Sequence, residues 1–339
     1  MRSGILAGGN WIIDQVKVID AFPEEEKLVN ILTEYSSNGG SAYNILKGLV
    51  RLQSSFPLGG VGLVGDDERG TQIIQECQSL GINTSQIQKM PEAFTSYTDV
   101  MTVESTGKRT FFHQRGANAL LDIPHFDFSG ATEKIFHLGY LLLLDNLDKL
   151  TEDGETRATT VFRNAIEQGL ITSADVVSEK SDRFKEVIIP SLPYIDYLFL
   201  NEFEAGKIAG VQTVSEQGHP IVDKCFEAAM RIVEMGARGW VILHFPMGVV
   251  AVGKGQRKLL QPSINLPGDK IKGAVGAGDA FAAGVLIGVH NDQQMERCLE
   301  LGVCAAASSL FQATSSDGIV SAGECLSLSK QYGFRNYSI

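Results

Sequence analysis

The sequence has few cysteines and arranges none of them as a redox or metal-binding pair. It contains five cysteines, an odd number, and no Cys-x-x-Cys spacing. Two of them fall in an apolar helical stretch, and free thiols are commonly buried in such places. We therefore expect buried free thiols, with no disulfide framework and no metal bound by cysteine.

A long apolar run and an excess of positive charge are also lacking. The longest apolar stretch, residues 136–144, is interrupted by His137 and Gly139 and is too short to cross a bilayer. The first residues lack the apolar core of a signal peptide. The formal net charge is −11, which argues against a broad nucleic-acid-binding surface. These absences lead us to expect a cytoplasmic protein that binds neither membranes nor nucleic acid.

What the sequence has in abundance is short apolar runs that alternate with longer helical patterns. Residues 41–52 have helical spacing, and residues 61–64 are typical of a buried strand. This alternation predicts an α/β fold with a mostly parallel sheet and helices on both faces. The stretches 12–18 and 97–114 resemble strands without crossover helices, so they predict a small second sheet, which we interpret as a lid.

Ligands of open α/β sheets bind at the carboxyl ends of the strands, which directs attention to Gly276-Ala277-Gly278-Asp279 at the start of a helix. The small residues would let three backbone amides approach an anion. Such amides could stabilise charge on a transferring phosphoryl group, and Asp279 could accept the proton of an attacking hydroxyl. Alternatively, Asp279 is only a helix-start carboxylate stabilised by the helix dipole.

A second glycine cluster, residues 60–65, matches the Gly-x-Gly-x-x-Gly pattern of dinucleotide-binding proteins. That pattern should follow a strand and open a helix, whereas these glycines alternate with valine and leucine as if inside a strand. We therefore reject a dinucleotide site here, although a dinucleotide oxidoreductase remains an alternative hypothesis. Residues 66–70 are predicted to form a polar turn.

A third cluster, residues 38–44, opens the first long helix. Gly40 would let a ligand approach the backbone, and Asn44, one turn later, could face the same ligand. Ser41 is a reasonable N-cap. A plain capping motif is the alternative.

Polar residues also follow the apolar strand predicted at residues 197–200. Asn201 and Glu204 are three positions apart at a helix start, so they share one face. They could organise Mg²⁺ through water, because Mg²⁺ prefers oxygen ligands and retains several waters. A capping box formed by the same two residues is the alternative.

Taken together and in this order, the motifs resemble the ribokinase-like PfkB family of carbohydrate and nucleoside kinases. The resemblance covers nearly the whole chain, which we expect to be a single kinase domain over residues 1–339, with lid strands near 12–18 and 97–114. The matching stretches are residues 9–14, 39–44, 64–70, 115–118, 201–204 and 276–279. The family implies a ribokinase-like three-layer α/β/α sandwich with a mostly parallel central sheet and a small β-sheet lid.

The resemblance also implies roles for individual positions. Asp279 would be the general base, and the amides of the preceding residues Gly276, Ala277 and Gly278 would form an anion hole. The residues expected to hold the substrate are Asp14, Gly39, Gly40, Asn44 and Asn118. Asn201 and Glu204 would position Mg²⁺ and the phosphates of ATP. Ala305 and Ser309, with the loop at residues 314–318, would line the nucleotide.

Two departures from the family pattern affect what it implies. Many members carry Asp-Thr where this chain has Gly273-Ala274, which leaves dependence on a monovalent cation such as K⁺ open. A late strand that usually ends Thr-x-Gly-x-x-Gly is here residues 243–248, with His244 as either a structural histidine or a nucleotide contact. This second change leaves the preference for the phosphate donor open.

The resemblance indicates an ATP-dependent, Mg²⁺-requiring kinase, and we expect the acceptor to be a sugar. A nucleoside is the alternative acceptor, and a ligand-binding protein without catalysis on the same fold is a further alternative. Lid strands often pair subunits in this family, which makes a homodimer through the lid another expectation.

Overall fold

The structure is a computed structural model that describes residues 2–336. Strands and helices alternate through most of this range. The strands are β1 (Ile5–Gly9), β2 (Ile12–Ile19), β3 (Ile31–Gly39), β4 (Leu58–Gly65), β5 (Asn83–Met90), β6 (Tyr97–Val103), β7 (Arg109–Gln114), β8 (Ile135–Leu141), β9 (Ile171–Val176), β10 (Tyr197–Asn201), β11 (Trp240–Phe245), β12 (Gly248–Gly253) and β13 (Lys258–Pro262). The α-helices are α1 (Ser41–Arg51), α2 (Glu68–Ser79), α3 (Arg157–Glu167), α4 (Phe184–Ile188), α5 (Glu202–Ala209), α6 (Val222–Glu234), α7 (Ala277–His290), α8 (Met295–Ser309) and α9 (Ala322–Tyr332).

A central sheet of nine strands carries the fold, in the order β13-β12-β11-β10-β9-β8-β1-β4-β5. The strands from β11 to β5 run parallel to their neighbours, and β12 and β13 extend one edge in antiparallel fashion. The prediction of a mostly parallel sheet is confirmed. Because β8 to β11 are parallel, their carboxyl ends meet at one edge of the sheet.

Both faces of the central sheet are buried under helices, and alternate residues of each strand contribute to opposite faces. In β1, Ile5 and Ala7 join one hydrophobic cluster while Leu6 joins the other. The first cluster includes residues of α1, α2, α7, α8 and α9, and the second includes residues of α3 to α6. The helices therefore form two layers around the sheet.

A second sheet of four strands has the order β3-β2-β6-β7. The β2–β3 and β6–β7 pairs are antiparallel, and β2 pairs with β6 in parallel. The second sheet predicted from residues 12–18 and 97–114 is thus confirmed. The sequence did not predict β3, an edge strand whose first residues are exposed and follow no apolar alternation.

Other local predictions have mixed outcomes. All five cysteines are free and buried, as expected. Residues 60–65 lie within β4, which agrees with their assignment to a strand. The polar turn predicted at residues 66–70 is wrong in its second half, because α2 begins at Glu68 after the N-cap Asp67, whose carboxylate accepts the Gly70 N–H at 2.8 Å. Within residues 2–336, no helix combines the length and the apolar character needed to cross a membrane.

Helices α7 and α8 approach each other closely at two glycines. A Cβ atom on Gly284 of α7 would lie 2.9 Å from Gly302 Cα and 2.9 Å from the Leu301 carbonyl oxygen in α8. These are backbone atoms, which cannot move as a side-chain tip can. The absence of a side chain at Gly284 therefore sets the distance between the helix that starts at Gly276-Ala277-Gly278-Asp279 and its neighbour.

We expect Gly284→Ala to lower the free energy of unfolding by about 1–3 kcal/mol through overpacking, partly offset by the better helix propensity of alanine. Gly323→Ala in α9 is the matched control, because a Cβ there would meet nothing within 4 Å. The control should raise stability by up to about 1 kcal/mol. Urea-unfolding midpoints measure both effects, and equal midpoints for the two variants would contradict the proposed helix contact.

Candidate active site

Polar side chains stand at the carboxyl edge of the central sheet, on neighbouring strands. They are Tyr140 in β8, Asp175 in β9, Asn201 in β10 and His244 in β11. Asn201 and His244 are directly paired in the register of their strands. The start of α7 lies against these residues, since Gly276, Gly278 and Asp279 line one small cavity with all four of them.

The start of α7 depends on a left-handed residue. Gly276 has φ 71°, and a Cβ atom on it would lie 2.5 Å from the Ser315 carbonyl oxygen. Glycine meets both the conformational and the steric requirement. The N–H groups of the first helical turn, which lack intrahelical partners, begin directly after this residue, at the cavity that Gly278 and Asp279 line. The segment therefore offers an anion-binding helix start.

The carboxylate of Asp279 is buried and held by two other elements. Tyr140 Oη donates to its two oxygens at 2.9 and 2.7 Å, and Asn44 Nδ2 donates at 2.7 Å. Burial and the nearby Asp175 carboxylate raise the pKa of Asp279, while these hydrogen bonds oppose the rise. Burial and Asp279 hold the pKa of Tyr140 well above its ordinary value, so Tyr140 remains a donor. These contacts fix the position of the carboxylate at the cavity, and a buried carboxylate needs such donors whatever its role.

Asn44 is itself fixed by a chain of hydrogen bonds. Asn38 Nδ2 donates to Asn44 Oδ1 at 2.6 Å, and Ser316 Oγ donates to Asn38 Oδ1 at 3.0 Å. All three side chains are buried. The chain assigns the amide orientation of Asn44, with its oxygen toward Asn38 and its nitrogen toward Asp279.

Asp175 ties the start of α1 to the sheet. Ser41 Oγ donates to Asp175 Oδ2 at 2.5 Å and lies 3.0 Å from His137 Nε2. The predicted N-cap role of Ser41 is wrong, because Gly40, with φ 84°, occupies the cap position and Ser41 is the first helical residue. The other carboxylate oxygen of Asp175, Oδ1, is buried without a hydrogen-bond partner among the described residues.

A cavity of about 700 Å³, which we name the acceptor cavity, lies between the second sheet and the start of α7. Asp14, Gly40 and Asn44 line it together with Tyr140. The sequence placed the first three of these in a substrate site, and the structure brings them together. Gly39 contributes indirectly, because a Cβ atom on it would lie 2.4 Å from Asp14 Oδ1.

Asn118 is placed differently from these residues. Its Oδ1 accepts the Trp11 N–H at 3.2 Å, and its Nδ2 donates to the Trp11 carbonyl at 3.2 Å. It is fully buried, and the lining of the acceptor cavity does not include it. Its contacts indicate that it positions the backbone before β2, and its predicted substrate contact stays a prediction.

A smaller cavity of about 200 Å³ adjoins Asp279, and we name it the phosphate cavity. Asn201 and Glu204 line it and also form the capping box that was the alternative: Asn201 Oδ1 accepts the Glu204 N–H at 2.9 Å, and Glu204 Oε2 accepts the Asn201 N–H at 2.8 Å. Burial raises the pKa of Glu204 to about 8, although Ser178 Oγ also donates to it, at 2.8 Å. The capping box and a ligand-facing position are therefore compatible.

An apolar cavity of about 430 Å³ continues from the start of α7 toward α8, and we name it the nucleotide cavity. Val303, Ala306 and Ala307 of α8 line it, together with Leu310, which follows the last residue of that helix. Ala305 and Ser309 are not among its lining residues: Ala305 packs in the core, and Ser309 Oγ donates to the Ala306 carbonyl at 2.8 Å. The predicted helix is thus at the cavity, with neighbouring positions facing it.

His244 lies between the phosphate and nucleotide cavities and lines both. A Cβ atom on Gly278 would lie 3.0 Å from its Cε1 atom, so the imidazole packs directly on the start of α7. Burial lowers the pKa of His244 to about 4, so the ring is neutral near pH 7. This position is compatible with a nucleotide contact, which stays a prediction.

Sequence reasoning missed Tyr140, Asp175 and Asn38. Tyr140 and Asp175 stand at the ends of buried strands, and a polar residue at such a position in a parallel sheet was the available signal. Asn38 belongs to the unpredicted β3, and nothing local marks its contact with Asn44.

Along most of its length the sequence is similar to a family of kinases. The family model described as "pfkB family carbohydrate kinase" matches residues 6–320. The ATP-dependent ribose-1-phosphate kinase of Halopiger xanaduensis is 25% identical over 297 residues, which cover 87% of this chain and 88% of the relative. The nucleoside kinase of Methanocaldococcus jannaschii is 22% identical over 299 residues, which cover 88% of this chain and 87% of the relative.

Solved structures share the whole architecture. A structure of Arabidopsis thaliana ribokinase complexed with ribose and ATP gives a TM-score of 0.79 at 19% identity, covering 97% of this chain and 99% of that chain. A putative ribokinase II from E. coli in complex with ATP and Mg²⁺ gives 0.76 at 16% identity, with coverages of 97% and 99%. The predicted ribokinase-like three-layer fold is confirmed.

Burial raises the pKa of Asp14 to about 7, against the opposing effects of the Thr98 hydroxyl and the Arg109 guanidinium. Between about pH 4 and pH 7 the folded chain therefore holds a proton that the unfolded chain has released, so this group makes stability fall as pH rises. We expect Asp14→Asn to gain stability relative to the wild type by roughly 2–4 kcal/mol across this window.

Urea unfolding at pH 4.5 and 7.5 measures this difference. Asp269→Asn, which changes an exposed carboxylate, controls for the general effect of removing one negative charge. A stability difference between Asp14→Asn and the wild type that is the same at both pH values would contradict the burial effect.

Proposed function

This chain belongs to the pfkB family of carbohydrate kinases, and we propose that it transfers the γ-phosphoryl group of ATP to a hydroxyl of a sugar. Membership of the family makes it a phosphotransferase with a hydroxyl acceptor. One observation carries the proposal further: the buried Asp279 carboxylate lies beside the helix start that lines the phosphate cavity, and its donors Asn44 and Tyr140 line the acceptor cavity.

In this proposal Asp279 accepts the proton of the attacking hydroxyl. A general base works best when its pKa lies near the operating pH, and burial with the Asp175 carboxylate raises the pKa of Asp279 toward that range. Tyr140 and Asn44 hold the carboxylate in place before the substrate arrives. The hydroxyl of a bound acceptor would take up a position within hydrogen-bond reach of the same carboxylate.

The amides at the start of α7 form the anion hole. Negative charge moves onto the oxygens of the γ-phosphoryl group and the leaving phosphate during transfer, and preorganised donors stabilise that charge. Gly276 and Gly278 supply these donors without side chains that would keep the phosphate away, and the Ala277 N–H, which contacts the Ala274 carbonyl oxygen at 3.4 Å, would have to turn from it to join them. The γ-phosphate would then lie in the phosphate cavity, next to Asp279.

In this proposal Mg²⁺ binds in the phosphate cavity largely through water and the phosphates, because the described residues contain no cluster of three or more metal-ligating side chains. The lining of this cavity includes Glu204, Asn201 and Asp175, and Asp175 Oδ1 is a buried oxygen without a partner among residues 2–336. Mg²⁺ prefers such oxygen ligands and retains waters between itself and the protein. Mg²⁺ bound here with ATP would supply neutralisation of the phosphate charge. Our proposal includes no role for K⁺, whose effect a simple salt comparison tests.

The adenine and ribose of ATP would lie in the nucleotide cavity, whose lining is mostly apolar on the α8 side. Val303, Ala306 and Ala307 supply apolar lining, and His244 lies where this cavity meets the phosphate cavity. A neutral imidazole can donate or accept one hydrogen bond without repelling the nucleotide. These features support ATP as the donor.

The second sheet acts as the lid in this proposal. Its strands contribute Asp14, Thr102, Arg109 and Phe111 to the lining of the acceptor cavity, and the turn between β6 and β7 contributes Gly107. Closing the cavity with this sheet would exclude the water that competes with the acceptor. Phe111 and Phe112 in β7 are 58% and 53% exposed, and this apolar surface supports a homodimer that pairs through the lid.

The sugar acceptor and its alternatives are separated by one assay. A coupled assay of ADP formation over sugars and nucleosides, with and without Mg²⁺ and K⁺, tests the acceptor class and the ion requirement together. ADP formation would be faster with a nucleoside than with a sugar if the ribose hydroxyls of the nucleoside bound Asp14 and Asn44 in the acceptor cavity. Ligand binding by calorimetry without ADP formation would instead identify a non-catalytic binding protein.

We expect Asp279→Asn to reduce kcat by about 10²–10⁴-fold, because the amide cannot accept the hydroxyl proton. Binding of ATP, measured by calorimetry, should persist, since the amides of the anion hole are unchanged. Asp269→Asn removes an exposed carboxylate from the segment before α7 and serves as the control. If no sugar or nucleoside elicits more ADP from the wild type than from Asp279→Asn, the proposed function is wrong.

The pH profile tests the role of Asp175. Activity requires the deprotonated base, so kcat/KM should fall as pH drops through the raised pKa of Asp279. Asp175→Asn removes a neighbouring negative charge that raises this pKa, so the acidic limb should move to lower pH by roughly one unit. Asp145→Asn, which removes a carboxylate ion-paired with Arg115, is the control. An unmoved limb in Asp175→Asn would contradict the coupling between the two carboxylates.

A further inference from the structure

Two cationic side chains line the acceptor cavity and have no part in the transfer described above. Arg109 is the first residue of β7 in the lid, and Lys272 precedes the start of α7. Within residues 2–336, neither forms an ion pair with a carboxylate at 4 Å or less. The protein as a whole carries a net charge of −11, whereas the charged side chains that line this cavity are these two cations and Asp14.

The guanidinium of Arg109 is half-buried, and its Nε atom is buried without a hydrogen-bond partner among the described residues. Burial lowers the pKa of Arg109, and the nearby Tyr35 and Asp14 offset this only in part. A desolvated donor with no acceptor is unfavourable. An anion delivered by a ligand would supply the missing acceptor.

Gly273 explains how Arg109 reaches across the cavity. A Cβ atom on Gly273 would lie 2.8 Å from Arg109 Nη2 and 3.0 Å from Ala313 Cα. The guanidinium of the lid residue therefore lies directly on the segment that leads to Gly276. Any side chain at position 273 would compete with Arg109 for this space. The glycine that replaces the usual Asp-Thr sequence here therefore leaves room for the Arg109 guanidinium.

We propose that the acceptor carries an anionic group, a phosphate ester or a carboxylate, which Arg109 binds with help from Lys272. This inference rests on the proposed kinase function and narrows its substrate class. Arginine presents paired donors that match both kinds of anion, and lysine adds a mobile point charge. The reacting hydroxyl of such an acceptor lies toward Asp279, and its anionic group lies toward the lid.

The position of Arg109 favours the acceptor over ATP as its partner. Arg109 lines the acceptor cavity and a small adjoining space beside Asp14 and Ser37. It lines neither the phosphate cavity nor the nucleotide cavity. A cation that served the γ-phosphate would be expected at the phosphate cavity, where Gly276, Gly278 and Asp279 meet.

Matched acceptors test the inference directly. The panel pairs ribose with ribose 1-phosphate and ribose 5-phosphate, fructose with fructose 1-phosphate and fructose 6-phosphate, and glucose with gluconate. We expect at least one anionic sugar to exceed its neutral parent in kcat/KM by about 100-fold or more, since the neutral sugar leaves the cations unpaired. Comparison of the sugar phosphates with gluconate identifies whether a phosphate or a carboxylate is preferred.

Substitutions of Arg109 and Lys272 test whether these side chains bind the anionic group of the acceptor. Arg109→Gln should raise KM for the preferred anionic acceptor by more than about 10-fold while KM for ATP stays unchanged, and Arg109→Lys should restore part of the loss. Lys108→Gln removes the adjacent exposed cation, which does not line the cavity, and serves as the matched control. Lys272→Gln carries the same test at an exposed side chain, in case Arg109→Gln folds poorly.

The outcomes separate this inference from the kinase function on which it rests. Neutral parents preferred in every pair would overturn the anionic acceptor and leave the kinase intact. A rise in KM for ATP in Arg109→Gln, with neutral and anionic acceptors slowed alike, would assign the arginine to the nucleotide and also overturn the inference. An absence of ADP formation with every sugar and nucleoside would remove the kinase function itself, and the inference with it.

Discussion

The burial of the Asp279 carboxylate is the constraint on which the arrangement of the site depends. A carboxylate removed from water is unfavourable unless it is hydrogen-bonded, and here the donors are Tyr140 and Asn44. These donors come from β8 and α1, which lie more than a hundred residues before α7 in the chain. Three elements that are distant in sequence must therefore pack in one register for the carboxylate to be satisfied, which links the stability of the site to the assembly of the whole fold.

The local charge of the site differs from that of the protein as a whole. A chain with a net charge of −11 repels anionic ligands at long range. Short-range donors must offset this, and the structure supplies them in the first-turn amides of α7 and in Arg109 and Lys272. Three carboxylates line the phosphate cavity, Asp175, Glu204 and Asp279, and burial raises the pKa of the last two. In the proposed function Asp279 acts in its deprotonated form, and Mg²⁺ would offset the negative charge of the carboxylates and the phosphate.

The sequence predicted the elements that carry strong periodicity and the junctions that carry short motifs. The parallel sheet and the helices around it follow from local periodicity, and the placing of Asp14, Gly40 and Asn44 at one substrate site follows from the family resemblance of the motifs that contain them. Contacts between distant segments left no such pattern, so the bond from Tyr140 to Asp279 was not foreseen. The sequence also did not predict which residues of a helix face a cavity. Helix α8 lies at the nucleotide cavity, but Ala305, which was predicted to line it, faces the core.

The unpredicted strand β3 connects the second sheet to the residues that contact Asp279. It forms the edge of the second sheet and runs, through Gly40, directly into α1. Its last residues place Asn38 against Asn44 and Gly39 against Asp14. A shift of the lid that moved this end of β3 would therefore act on Asn44 through one hydrogen bond and on Asp279 through the next. Because only Gly40 separates β3 from α1, the proposed function implies that acceptor binding at the second sheet and the orientation of the Asp279 carboxylate depend on the same short segment.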